Sequence, residues 1–400
     1  MNAPHSPSPL AAVPMAPADP ILGVTEAFVA DQNPKKVNLG VGVYYDDNGR
    51  IPVLECVRKA EEQRVKASPA RGYLPIDGIQ AYDRAVQELV FSKTQSNIVT
   101  VQAIGGTGAL KIGADFLRQI APQATVWISD PSWENHRQLF EAAGFKVRTY
   151  PYFEPKTRGL DFPGMKRGLD ALPAGDIVIL HACCHNPTGV DLTQEQWREI
   201  LDIVKRRSLI PFLDLAYQGF AEGLDEDAYA ARLFSAAMSP VFLSTSFSKS
   251  FSLYGERCGA LSVVTGSEDE AKRVLSNVKR IIRTNYSNPP THGGQVIASV
   301  LAEADGRRQW DRELGGMRER IKAMRKALVD GVQKRVPGAD WSFILRQRGM
   351  FSYTGLTREQ VLKMRKDYSI YAIESGRICV AALNSKNVDY VADAIAAVVK

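Results

Sequence analysis

From Pro52 to about Val264, short apolar runs alternate with longer amphipathic stretches, and this alternation restricts the fold more than any other feature of the chain. Parallel strands need a crossover of a dozen or so residues, which a helix supplies. The pattern therefore predicts an α/β architecture with a mainly parallel sheet covered on both faces by helices. Seven runs read as strands: Thr100–Ala103, Thr125–Ile128, Lys146–Tyr150, Ile177–Ala182, Pro211–Asp214, Val241–Thr245 and Ala260–Val264. One helix is marked at its start by a capping box, Thr193 to Gln196, followed by Trp197, Ile200, Leu201 and Val204 at helical spacing, a core stripe. A charged amphipathic helix from Arg312 to Val336 leads into a C-terminal α/β unit. That unit holds a second capping box (Thr357 to Gln360), a strand at Arg377–Ala381 and a terminal helix with Val388, Val391, Ala392, Ile395 and Val399 inward. Near the start, Pro20–Phe28 reads as a short helix behind an initiating proline. In Val37–Tyr45, Gly40 and Gly42 mark either backbone open to a ligand or another segment, or a tight bend.

Four hundred residues with 45% hydrophobic and 24% charged content allow two domains, or one large α/β domain with a smaller companion. The net charge of +6 balances 50 basic against 44 acidic residues, and the basic clusters, such as Arg318 to Lys326, fall at helical spacing on solvated faces. No nucleic-acid track emerges, and anionic small molecules remain plausible partners. The five cysteines are odd in number and unpaired in spacing, which fits a reducing compartment. No apolar run approaches membrane-spanning length. The first 17 residues lack the basic start and apolar core of a signal peptide, so a flexible arm and a cytoplasmic enzyme are expected.

Several stretches carry chemistry. Val241–Leu243 ends at Ser244-Thr245-Ser246-Phe247-Ser248-Lys249, and a lysine at the end of a buried strand is held where its ammonium form is disfavoured and its amine is a nucleophile. Arg257 follows eight positions on. Amine, hydroxyls and guanidinium together suit a phosphorylated aldehyde; a solvated loop lysine is the alternative. Gly105-Gly106-Thr107-Gly108 opens a helix, Lys111–Ile120, and presents free amides to a phosphate, although it matches neither nucleotide-binding glycine motif. In Asp130–His136, Trp133 stands ready to stack on a planar ring with His136 close by, or to be core beside a satisfied histidine. His181-Ala182-Cys183-Cys184-His185 invites a metal, but adjacent cysteines project to opposite sides and the paired C-x₂-C spacing is missing, so no metal is expected. Asn186-Pro187-Thr188-Gly189 reads instead as a rigid turn fixing Asn186 over a cleft. Asp214 closes a buried strand, where open α/β sheets bind ligands, with Tyr217 three residues on. The carboxylate there needs a cation such as a pyridinium nitrogen, or else it is a helix N-cap.

Asn186–Gly189, Asp214 to Tyr217, Ser246 to Lys249 and Arg257, in this order and spacing, resemble the class I pyridoxal-phosphate aminotransferases. The resemblance runs from Asp19 to the C-terminus. It is nearest the bacterial aspartate/aromatic branch, through Tyr73 to Gly78, Ser132 to His136 and Asn285 to Pro290. It implies the fold-type I plan: a large cofactor domain (52–316), a small α/β domain from both chain ends (18–51 and 317–400) and the arm (1–17). By the same resemblance, Lys249 would hold pyridoxal phosphate as a Schiff base and move the substrate's α-proton. Asp214, backed by His136, would pair with the ring nitrogen; Asn186 and Tyr217 would bond the ring oxygen; Trp133 would stack on the ring. Gly106, Thr107, Ser246 and Arg257 would hold the phosphate, with Tyr73 reaching in from the second subunit of a homodimer. Arg377 would clamp the substrate α-carboxylate, the partner's copy of Arg283 would take its side-chain carboxylate, and Gly42 would approach through its backbone.

The implied activity is ping-pong transfer of the amino group from tyrosine, phenylalanine and aspartate to 2-oxoglutarate, with a dedicated aspartate aminotransferase as the alternative. Tyr45 and Ile51 resemble the aromatic-accepting members at the substrate mouth, whereas Gly72, Thr107 and Asn288 fit the aspartate pattern or neither. Two other classes remain: a nucleotide-dependent dehydrogenase, for which the glycine fingerprint is missing, and a regulator, for which the arm is too short to bind DNA.

Overall fold

The computed structural model describes residues 8–15 and 22–400. The expected start of the first helix at Pro20 and most of the arm lie outside them. Within the arm, Pro9–Ala12 form a 3₁₀ turn capped by Ser8 Oγ, and the first α-helix runs Leu22–Ala30.

All seven expected strands form one sheet: β1 (Ile98–Ile104), β2 (Thr125–Asp130), β3 (Lys146–Pro151), β4 (Ile177–His181), β5 (Ile210–Leu215), β6 (Val241–Ser246) and β7 (Cys258–Val264). Their spatial order is β1-β7-β6-β5-β4-β2-β3. Every pairing is parallel except those of β7, which runs antiparallel to both neighbours. The period-two geometry of a strand sends alternate residues to opposite faces. On β4, Ile177 and Ile179 enter one core and Val178 and Leu180 the other; on β5, Phe212 opposes Leu213 and Leu215. Both faces being covered explains why these runs read as continuously apolar.

The helices form where their caps and stripes place them. Both capping boxes are present, at Thr193/Gln196 and Thr357/Gln360. The helix Glu55–Ala67 follows Leu54, which cannot cap, and the carboxylate of Glu313 accepts from the Glu55 and Cys56 amides instead, at 2.6 and 3.1 Å. Glu313 belongs to the long helix Ala304–Arg335, which begins eight residues before the expected Arg312. From that helix Trp310 stacks on Phe251, centroids 4.5 Å apart, and donates its indole N–H to the Ser250 carbonyl at 2.7 Å. The long helix thus pins the loop directly after Lys249.

The two chain ends meet. Val37–Asn38 pair in parallel with Ile370–Tyr371, and the Cys379 amide donates to Leu39 O at 2.8 Å. Only Val37–Asn38 of the expected β-rich run is a strand. The strand expected at Arg377–Ala381 ends at Cys379 and tightens into the turn Val380–Ala382. In the terminal helix Val388, Val391, Ala392 and Ile395 are buried, with Val399 partly so.

Candidate active site

The carboxyl ends of β4, β5 and β6 stand side by side, with His181 in register with Asp214 and Asp214 with Ser244. A cavity of about 530 Å³ opens there, lined by residues that include Lys249, Asp214, Tyr217, Asn186, Trp133 and Arg257, with Gly42, Gly106 and Thr107.

Lys249 follows β6 in a turn closed by Ser252 N to Lys249 O at 3.0 Å. Its Nζ sits 4.9 Å from the centroid of the Tyr217 ring. Burial lowers its pKa to about 8; the Asp214 charge opposes the shift and that of Arg257 assists it. Asp214 lies inside β5, so the helix N-cap alternative falls away. Burial acts against its ionisation, but the 3.0 Å hydrogen bond from His136 Nε2 and the nearby Lys249 hold its carboxyl below the usual range. His136 Nδ1 faces Ser132 Oγ at 3.0 Å, which fixes the ring so that its Nε2 points at the Asp214 carboxylate. His136 therefore backs Asp214 from behind and does not line the cavity. The second carboxylate oxygen of Asp214, Oδ1, is buried with no hydrogen-bond partner among the described residues. Such an orphan is costly unless a donor arrives.

The helix expected to start at Lys111 begins at Gly105 and carries its first amides into the cavity. Gly105 has φ +67°, and a Cβ there would meet Arg257 Nη2 at 2.6 Å, so both conformation and space require glycine. Arg257, itself at φ +54°, donates to Tyr254 O at 2.9 Å and Ser248 Oγ at 3.3 Å, and Ser246 Oγ completes the rim. A helix N-terminus, two serines and a guanidinium make an anion cradle. Burial raises the Tyr217 hydroxyl's pKa well above the phenol range, with Arg377 opposing, so it stays protonated.

Arg377 is 1% exposed and lies behind the cavity wall. It donates to Asn186 Oδ1 at 3.0 Å and to Gly40 O at 2.6 Å, with its guanidinium carbon 4.4 Å from the Phe351 ring centroid; Nε has no partner among the described residues. Its bond occupies the Oδ1 of Asn186, a residue that lines the cavity, so the amide's Nδ2 is the donor left to it. Phe351 also explains Gly42, where a Cβ would fall 2.7 Å from Cζ of that ring. The glycine accommodates a neighbouring segment, and a tight bend forms there too: the chain bends at Gly40–Val41, and the Val43 amide donates to Val41 O at 2.9 Å across Gly42.

Some expected residues are elsewhere. Tyr73 is 95% exposed, and Arg283 is exposed at the end of the helix Glu268–Asn285, bonded to Ser287 Oγ. Neither reaches its own chain's cavity. Tyr45 and Ile51, expected at the mouth, do not line it: Tyr45 borders a separate cleft and Ile51 is 46% exposed. Of Gly72, Thr107 and Asn288, which fit the aspartate pattern or neither, only Thr107 lines the cavity.

Conversely, His181, Ser248, Tyr254, Val41 and Val43 line it without having been anticipated. His181 had a legible signal: the strand-end alignment that places it beside Asp214. Burial, with His185 and His136 nearby, holds its pKa well below the usual histidine range. Cys183, Cys184 and Asp227 do cluster, but backbone amides at Gly219, Ala221 and Glu222 already occupy both carboxylate oxygens of Asp227.

A buried amine, an anion cradle and an orphaned carboxylate around one cavity define an enzyme that works through a phosphorylated carbonyl cofactor on a lysine. The profile of the family described as aminotransferase class I and II matches residues 34–395, and the chain belongs to this family of pyridoxal-phosphate-dependent aminotransferases. It is 57% identical over 389 residues to the aspartate aminotransferase of Pseudomonas aeruginosa, covering 96% of this chain and 98% of that one. It is 49% identical over 387 residues to the aromatic-amino-acid aminotransferase of Escherichia coli, covering 95% and 97%. Among solved structures, the aromatic-amino-acid aminotransferase of Burkholderia pseudomallei, covalently bound to pyridoxal phosphate, superposes with a TM-score of 0.96 at 60% identity over 98% of this chain and 100% of that one. No helix among the described residues is long and apolar enough to cross a membrane.

Proposed function

We propose that the protein is an aromatic amino acid aminotransferase that takes tyrosine, phenylalanine and aspartate and passes the amino group to 2-oxoglutarate. One observation carries the reading. Lys249 Nζ and the unpartnered Asp214 Oδ1 share one cavity, with an anion cradle at Arg257 on its rim.

The residues present fit pyridoxal phosphate. Its ring N–H would supply the donor that Asp214 Oδ1 lacks; Gly106, Thr107, Ser246 and Arg257 would hold its phosphate; Asn186 Nδ2 and the Tyr217 hydroxyl would meet its ring oxygen; and Trp133 would wall the ring. When bound, the cofactor supplies an aldehyde carbon for an amine and a ring that accepts the electron pair left at the substrate's α-carbon. The protein supplies the rest. Asp214 stays ionised and keeps the ring nitrogen protonated. Lys249, partly neutral near pH 8, takes the proton from the substrate α-carbon. Arg377 stands directly behind the cavity-lining Asn186, and once its bond to Asn186 Oδ1 opens it would give the α-carboxylate a guanidinium. Both half-reactions use one pocket, so kinetics are ping-pong.

The exposed Tyr73 and Arg283 act in a homodimer, each reaching the partner's cavity. The meeting of the chain ends at Val37–Asn38 and Ile370–Tyr371 supports a small domain of 18–51 and 317–400 beside a cofactor domain of 52–316. Five free, buried cysteines, and the word cytoplasmic in the names of the aspartate aminotransferase relatives from Dictyostelium discoideum and rice, support a cytoplasmic enzyme.

The aromatic preference is supported by the E. coli and Burkholderia relatives and by the apolar Val41, Val43 and Tyr254 in the lining, since a buried ring gains about 1.5–3 kcal/mol. The Pseudomonas relative's name and Thr107 favour the second reading, an enzyme dedicated to aspartate. Comparing kcat/KM for phenylalanine and aspartate decides between them. Values within about tenfold, some 1.4 kcal/mol, support dual use; a preference for aspartate by several orders of magnitude defeats it.

A further inference from the structure

A second cavity, of about 680 Å³, is larger than the lysine pocket and lies between the N-terminal segment Phe28–Gly49 and the C-terminal segment Ala382–Tyr390. That volume is in the range that holds a small organic ligand. Three lysines line it, Lys35, Lys36 and Lys386, and among the described residues no carboxylate does. Lys36 is committed: its Nζ donates to Phe28 O and Asp31 O at 2.8 and 2.6 Å. Lys35 and Lys386 are exposed and make no ion pair among the described residues.

Two asparagines add donors whose direction the backbone fixes. Asn384 Oδ1 accepts from the Lys386 and Asn387 amides at 3.0 and 2.9 Å, and Asn38 Oδ1 from the Gly40 amide at 2.9 Å. With the oxygens occupied, neither Nδ2 has a hydrogen-bond partner among the described residues. Asn384 is only 9% exposed, so its free donor is a near-buried group lacking an acceptor. Carboxylates on the flanking loops are engaged elsewhere: Asp47 with Ser385 and Arg320, Asp31 with the Asn33 amide and Tyr371 Oη. Asp389, on the helix that follows, lies near Arg335. The walls are aromatic. Tyr390 is tied through its hydroxyl to Tyr368 O, while Tyr45 has neither a ring partner nor a hydrogen bond to its hydroxyl among the described residues.

We propose that this cleft is a binding site for an aromatic anion. The ring lies on Tyr45, and the acid group meets Lys35 and Lys386 at the rim and the Asn384 and Asn38 N–H groups within. That chemistry comes from two sources, an aryl 2-oxo acid or a nucleotide. Asn38 is two residues from Gly40, whose carbonyl accepts from Arg377, so an occupant braces the segment that leads into Val41–Val43, which line the lysine pocket.

The test is calorimetric titration of the holoenzyme with phenylpyruvate, 2-oxoglutarate in excess to fill the lysine pocket, and separately with AMP. Two variants accompany the wild type. Asn384→Asp keeps the oxygen that both amides use and replaces the free donor by an acceptor; Lys35→Glu/Lys386→Glu reverses the rim charge. The expected result is saturable binding of one probe, weakened at least about tenfold in both variants, with kcat and the cofactor's absorbance unchanged. Phenylpyruvate binding assigns the oxo-acid source and AMP binding the nucleotide source. Equal affinity across wild type and variants, or no saturable binding of either probe at millimolar concentration, overturns the proposal.

Discussion

Lys249 is set apart from the chain's other lysines by its surroundings: burial brings its pKa down to about 8, so about one amine in ten is neutral at pH 7 and half at pH 8. Because the neutral form is the nucleophile, the rate at which apoenzyme takes up pyridoxal phosphate should rise with pH and level off near 8, read by stopped-flow absorbance. A rate still climbing tenfold per unit through pH 9–10 would mean an ordinary solvated lysine. Asp214→Asn keeps the contact with His136 but removes the charge that the ring nitrogen needs. The expectation is a fall in kcat of at least ~10²-fold, the scale of a lost electrostatic stabiliser, with folding intact by circular dichroism. Residue identities in this site were legible where a motif surrounds them, as at Asn186, Asp214 and Lys249. His181 was weighed only as a metal ligand and Tyr254 not at all, because what brings them to the cavity is strand register and a neighbouring segment, neither of which is local in sequence.

At the scale of elements, the apolar runs located all seven strands, and the structure lengthens most of them. β2 continues to Asp130 and β6 to Ser246 because the ladder still pairs them, although polar side chains look like turn residues in isolation. The capping boxes were read correctly because their reciprocal bonds span only three residues. Thr193→Ala should therefore cost about 1 kcal/mol in urea unfolding while leaving transamination unchanged. The early start of the helix at Gly105 was hidden, since a glycine run argues against helix on propensity; the helix begins there with Gly105 at φ +67° and its amide bonded to Arg257 O at 2.9 Å. Gly105→Ala should displace Arg257 and loosen the anion cradle, weakening cofactor retention at least about tenfold in dialysis. Retention equal to wild type would detach this glycine from the cradle.

The whole molecule is held together by contacts far apart in sequence. Glu313 caps a helix more than 250 residues earlier, and the chain ends pair at Val37–Asn38. Periodicity foresaw the sheet and its helices, but resemblance alone suggested that the small unit uses both ends. Arg283 and Lys249 belong to different chains' versions of one site if the enzyme works as a homodimer. Mixing inactive Lys249→Ala with Arg283→Ala after dissociation should then restore activity toward aspartate, up to roughly a quarter of wild type for random C₂ pairing. No recovery would place both residues in one chain's site or leave the protein monomeric. The central claim, that Lys249 tethers the cofactor opposite Asp214, is tested most directly by the absorption spectrum of the purified holoenzyme, followed by borohydride reduction and peptide mapping. The account predicts a near-visible band that reduction abolishes, with the cofactor's mass fixed on the peptide containing Lys249; a colourless protein after incubation with pyridoxal phosphate, or the label on another lysine, would contradict it.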